Sequence, residues 1–310
     1  MKQKTIKSSI SCSGIGIHSG ELVNIRLNPA PANHGIVLVR TDKTPRVRIP
    51  AICEYIKSAL NASTLGVNGT RVGTVEHLMA ALSGLGVDNV EVEVDGPEIP
   101  ILDGSAAPFV ELIKTAGIIE LPSPKSYLVV RKPVEVRVNG SYASVKPGLE
   151  PKINCTISYN HPLLKRQERE VSVNPDDFVN HIASARTFGF LDDVDRLRSL
   201  GLAKGGSLHN AVIFDREKVV NPEGFRFDDE CVRHKVLDLI GDMALCGMPV
   251  LGEITVHNEK AKQKLLDVEE TVRQTIKEIG YVDPAIGFDY RNCAVIRTIH
   301  GQSADISRGV

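Results

Sequence analysis

An α/β fold built from two domains of similar construction is what the sequence predicts, on three observations. Strand-like and helix-like segments alternate along the chain. They do so on both sides of a proline-rich stretch near residue 122. No short repeat, low-complexity tract or long apolar run interrupts them. With 310 residues there is room for two cores. The expected division is 1–122 and 127–310.

The early elements are strands. Residues 13–17 and 35–39 are apolar pieces bounded by Gly, Pro and Asn. Residues 90–94 alternate Val and Glu, the pattern of a half-buried strand, and Asp95-Gly96-Pro97 turns the chain after it. Between them, residues 74–82 have helical composition, with Thr74 placed to cap the helix and Gly84 and Gly86 beyond its end. A second helix is expected over 106–115, ahead of Gly117. Residues 121–126 hold two prolines within three positions and read as the linker, since proline interrupts helix and sheet ladder alike.

Beyond it, residues 134–138 and 141–145 flank Asn139-Gly140, a hairpin signal, because both residues accept the positive φ of a tight turn. Asn174-Pro175-Asp176-Asp177 opens a helix that should run to about 185. Residues 230–246 form another, closed by Gly247. Residues 258–280 read as a long amphipathic helix and 303–310 as a loose tail.

Composition excludes several functions. Lys plus Arg number 37 and Asp plus Glu 38, with no long basic run, so nucleic-acid binding is not expected. Trp is absent and aromatics are 5%, which leaves no stacking platform. The six cysteines form no C-x-x-C pair and read as reduced thiols of a cytoplasmic protein. The first ten residues carry lysines but no apolar run, unlike a secretory signal.

The chemistry concentrates in residues 231–243. His234, Asp238 and Asp242 stand at i, i+4 and i+8, so on a helix they form one stripe, opposite Val232, Val236, Leu239 and Met243. A His and an Asp one turn apart can share a metal ion. The same stripe also fits a solvated polar face. Glu76-His77 is the second element: the His could bind the metal while the Glu faces its water, as in hydrolytic zinc sites, or the two could be an ordinary helix pair. His77, His234 and Asp238 would give three ligands with a fourth position open, at the domain interface. Thr187 could donate to an oxyanion or simply belong to a turn. Lys204-Gly205-Gly206-Ser207 lacks the spacing of a nucleotide-phosphate loop, and His161, in a turn, is not expected to be a ligand.

Thr74-Val75-Glu76-His77-Leu78, residues 101–109, Ala185-Arg186-Thr187-Phe188-Gly189-Phe190 and residues 232–242 together resemble the UDP-3-O-acyl-N-acetylglucosamine deacetylase family, the zinc amidases of lipid A synthesis. Residues 13–20 and Asn28-Pro29-Ala30-Pro31 add to the resemblance, which covers about 2–255. It implies two similar two-layer α/β sandwich domains, each with a small insert, packed around an interdomain zinc site. It implies zinc on His77, His234 and Asp238, a set that also suits iron(II). Glu76 becomes the general base, Thr187 the oxyanion donor, Lys235 a neighbour of the substrate and Asp242 the support of a catalytic histidine. An insert near 184–212 would hold the acyl chain, with Phe188, Phe190 and Leu202 among its apolar residues. The implied partner is an acylated UDP-amino-sugar. The chain is expected to be a cytoplasmic monomer with at most transient membrane-surface contact.

One departure stands out. The family carries a Gly-His pair near its last long helix, whose His assists as proton donor; here Lys260-Ala261 occupy that place, with His257 four residues early. Two alternatives follow: a catalytically impaired homologue that binds zinc and the acyl-UDP-sugar, or a zinc hydrolase of altered substrate.

Overall fold

The computed structural model describes residues 1–58, 62–138 and 141–260. The first part of the chain runs β1 (Lys2–Ile6), β2 (Ile10–Ile15), β3 (Leu22–Pro29), β4 (Ile36–Arg40), β5 (Val47–Pro50), β6 (Ile56–Ser58), β7 (Thr64–Val67), β8 (Thr70–Val72), α1 (Glu76–Gly84), β9 (Val90–Val94), α2 (Ala107–Ala116) and β10 (Ile118–Pro124). The second runs β11 (Leu128–Val129), β12 (Val134–Val138), β13 (Ser141–Lys146), β14 (Lys152–Tyr159), β15 (Gln167–Ser172), α3 (Pro175–Asp177), β16 (Phe188–Phe190), α4 (Leu191–Ser199), β17 (Val212–Phe214), α5 (Glu230–Ala244), β18 (Val250–Leu251) and β19 (Glu253–Lys260).

Two five-stranded sheets carry the fold, and they are built alike. The first has the order β2-β3-β9-β4-β5, the second β12-β13-β19-β14-β15. In each, the middle strand lies parallel to its neighbour on one side, and every other pairing is antiparallel. Period-two burial explains the strands: Val23, Ile25 and Leu27 of β3 and Val90, Val92 and Val94 of β9 point inward. Each unit also carries a smaller piece, the β6-β7-β8 sheet in the first and the β16–β17 pair with α4 in the second. The expected fold class of two similar α/β units therefore holds.

Helices α1 and α5 pack on each other between the sheets. One glycine makes the seam close and another packs beside it. A Cβ on Gly241 of α5 would lie 2.1 Å from the Glu76 carbonyl oxygen, and one on Gly84 of α1 would lie 2.2 Å from the Phe178 ring. Among the described residues, no helix is long and apolar enough to cross a membrane.

Several local expectations change. Residues 118–124 are a strand, not part of a linker: β10 pairs antiparallel with β1, with an irregularity between the pairs Lys2–Pro124 and Lys4–Glu120. Its prolines are tolerated because β10 has a single partner strand and Pro122 falls in the irregular stretch. Thr74 does not cap α1. The helix starts at Glu76 with Val75 before it, and Thr74, at φ 54°, donates its hydroxyl to the buried carboxylate of Glu98 at 3.0 Å. Asn174 does cap, accepting from the Asp177 amide, but α3 continues as a π turn over Phe178–Ile182. Residues 258–260 are strand, since Ile254, Val256 and Asn258 keep alternating inward; the rest of the helix expected to 280 and the tail at 303–310 lie outside the described residues, as do Asn139 and Gly140.

Candidate metal centre

The helix spacing does what the i, i+4 pattern requires. His234 and Asp238 lie on the α5 face that meets α1, not on a solvated face, and His77 comes to them from α1. Nε2 of His234 is 3.3 Å from Oδ1 of Asp238, and Nε2 of His77 is 3.6 Å from the same oxygen. The two imidazole rings stand edge to face with centroids 5.0 Å apart. The three side chains offer ligand atoms that all lie within 4.8 Å of one another.

This donor set fits a divalent cation. Atoms each about 2 Å from one tetrahedral ion lie ~3.3 Å apart, close to the spacing here. Hydrogen bonding does not satisfy the His77 ring: its buried Nδ1 has no partner and its Nε2 is too far from Asp238 for a good hydrogen bond. Nδ1 of His234 meets the Ala185 carbonyl at 3.0 Å, so with a proton there Nε2 keeps its lone pair toward Asp238.

The model of UDP-3-O-acyl N-acetylglycosamine deacetylase matches residues 3–266. The chain belongs to this family. Its relatives include proteins named UDP-3-O-acyl-N-acetylglucosamine deacetylase from Myxococcus xanthus (51% identical over 255 residues, 82% of this chain and 81% of that protein), Anaeromyxobacter dehalogenans (49% over 291 residues, 92% and 94%) and Syntrophus aciditrophicus (45% over 272 residues, 88% and 86%). A second model, the N-terminal domain of S-adenosylmethionine synthetase, matches residues 238–304. This match overlaps the end of the first, while the Anaeromyxobacter relative aligns over 92% of the chain.

Charge around the cluster is set by burial and by close partners. Desolvation pushes the His234 imidazole down to about 3, against the pull of Asp238, which keeps it neutral. Burial alone would raise the Asp238 carboxyl, but His234, Lys235 and His77 hold it well below the usual carboxylate range. Lys235 donates to Oδ2 of Asp238 at 2.7 Å. Burial would lower the ammonium of Lys235, yet Asp238 and then Tyr159 hold it above its ordinary value. Desolvation, with Asp238 and Asp242 adding negative charge, pushes Glu76 well above the ordinary carboxylate range.

The remaining candidates fall around this core. The Ser63 amide donates to Oε2 of Glu76 at 3.0 Å and its hydroxyl to Oδ1 of Asp242 at 2.6 Å, so one serine ties the two carboxylates. Nothing in the sequence marks Ser63; its role rests on contacts 13 and 179 positions away. The Thr187 amide donates to the Gly104 carbonyl at 2.7 Å, and its carbonyl accepts from Val212 at 2.8 Å. The Phe188 ring lies 6.5 Å from that of His234 and 5.5 Å from the Lys235 ammonium. Phe190 joins Tyr159 and Phe214 at 5.7 and 5.6 Å. Leu202 is half-buried, its amide on the Leu197 carbonyl at the end of α4.

Two other motifs are absorbed by structure. Gly205 donates its amide to the Ile17 carbonyl at 3.0 Å, so the 204–207 loop meets its own chain. His161 is buried with Nε2 2.8 Å from the Asp215 carbonyl. His257 sits on β19 between the inward residues Val256 and Asn258, so it faces the other side of the sheet, stacked on Tyr142 at 4.6 Å.

Proposed function

We propose that the chain removes the N-acetyl group from UDP-3-O-acyl-N-acetylglucosamine in lipid A biosynthesis, with zinc held by His77, His234 and Asp238. The placement of Glu76 carries this reading: a desolvated carboxylate one residue from a ligand histidine, facing a three-ligand cluster with a coordination position to spare. Relatives 45–51% identical bear that reaction in their names.

A bound zinc ion, or iron(II) in the same donor set, supplies Lewis-acid activation of a water and polarises the amide carbonyl. Glu76 accepts the water's proton. Its raised proton affinity moves a carboxylate toward the neutral range where a general base works best. Ser63 and Asp242 fix the orientation of that carboxylate. Thr187, on backbone pinned from both sides, donates to the developing oxyanion. Glu76 then returns its proton to the leaving amine, and Lys235 holds charge beside Asp238. Phe188 and Phe190, backed by Tyr159 and Phe214, supply an apolar wall for the acyl chain, with Leu202 farther along the same insert. No role falls to His257. We put the division expected at 1–122 and 127–310 just after β10, at 125–127, and the protein works as a cytoplasmic monomer with at most transient membrane-surface contact.

Release of free amine from the acylated UDP-sugar by the purified full chain tests this. Glu76→Gln is expected to lower kcat by about 10²–10⁴ while the cation stays bound. Full activity in that variant would remove Glu76 from the mechanism. A cation-loaded wild-type chain with no turnover would leave only a silent binder.

A further inference from the structure

A single peptide unit joins the Arg186 segment to α5. Its carbonyl, on Ala185, meets Nδ1 of His234 at 3.0 Å. Its amide, on Arg186, donates to Oε1 of Glu230 at 2.9 Å. Glu230 and His234 are i and i+4 on α5, about 6 Å apart along the axis. A rigid trans peptide, whose N–H and C=O point in opposite directions, therefore spans one helical turn and is tied at both ends.

The Glu230 end is heavily built. Glu230 is fully buried at 0% exposure, and its carboxylate accepts from the Arg186 amide, Arg186 Nε at 2.9 Å, Arg186 Nη2 at 3.2 Å and the Arg226 amide at 2.7 Å. Arg186, 2% exposed, also donates to Glu223 and to the Gly224 carbonyl, each at 2.7 Å. Glu230 opens α5, where the helix dipole favours an anion. Burying an ion pair adds little stability that an apolar pair of the same volume would not supply. An apolar pair, however, could not grip the amide of residue 186 while His234 grips the carbonyl of residue 185.

We propose that Glu230 and Arg186 are positioning residues of the cluster: they hold the 185–186 peptide so that its carbonyl sets the tautomer and ring angle of His234, and its continuation presents Thr187. This rests on the metal-site reading of His77, His234 and Asp238.

The test uses the full chain with cobalt(II) and zinc as probes. Arg186→Lys keeps the charge but loses the fork, and Glu230→Gln keeps the shape but loses the anion. Each is expected to weaken zinc binding about 10–100-fold, measured against a chelating dye, and to alter the visible spectrum of the cobalt form. In the zinc form kcat should fall with KM nearly unchanged. In the wild type, proton NMR should show a slowly exchanging imidazole N–H assignable to Nδ1 of His234. Wild-type zinc affinity, cobalt spectrum and kcat in Arg186→Lys, even with a lowered Tm, would reduce the pair to a folding role and overturn the proposal. Absence of the protected Nδ1 proton in the wild type would overturn it without any variant. A wild-type chain that binds neither ion would overturn the metal-site reading as well, whereas equal binding by wild type and variants overturns this inference alone.

Discussion

In the first five-stranded unit the middle strand, β9, is preceded by α1; in the second the middle strand, β19, follows α5 after the short strand β18. Strand order and direction agree between the units, but the helices carry different chemistry. Helix α1 contributes an adjacent pair, Glu76-His77, and α5 a ladder of His234, Asp238 and Asp242. Neither helix alone assembles a hydrolytic centre. A repeated topology sets equivalent helices face to face, so Glu76 and His77 meet His234 and Asp238 at the seam, from sequences 157 positions apart (234 − 77).

Gly241 lies in the α1–α5 seam and Gly84 beside it, and substitution should affect metal binding only at the first. Gly241→Ala places a methyl 2.1 Å from backbone that cannot step aside. Overpacking costs about 1–3 kcal/mol, which outweighs the gain of at most ~1 kcal/mol from the better helix former. A Tm several degrees lower and weaker metal binding are expected; an unchanged Tm would mean that the helices do not meet this closely. Gly84→Ala meets instead the fully buried Phe178 ring, which lies outside α5, so a lowered Tm is expected with metal affinity unchanged.

The acyl side sharpens the comparison, because the β16–β17 insert belongs to the second unit only. Phe188→Ala is expected to raise KM about tenfold for a long acyl chain and much less for a short one, which a substrate series would show. Equal effects on both would place the chain elsewhere. The smallest effect belongs to His257→Ala. Its stacking on Tyr142, on the far side of the sheet, is worth about 1 kcal/mol or less. Turnover should stay within about twofold, and a hundredfold loss would return His257 to the mechanism.

How much of this was legible depends on range. The His234-Asp238-Asp242 ladder could be read because helical spacing is local. That it faces α1 could not, since a solvated stripe has the same letters. The 121–126 linker misled because proline blocks a ladder only where its amide is needed, and β10 is an edge strand. The start of the expected 258–280 helix misled because apolar spacing later in that window hid the period-two burial of β19 at 254–258. Ser63 and the Arg186–Glu230 grip left no mark, since each works through partners 13 to 179 positions away.

The most direct measurement is the metal content of the purified chain and of His77→Ala, which removes the proposed ligand from the first unit and leaves the α5 pair intact. One equivalent of divalent cation in the wild type and almost none in the variant is expected. A full equivalent retained without His77 would contradict a centre shared across the seam.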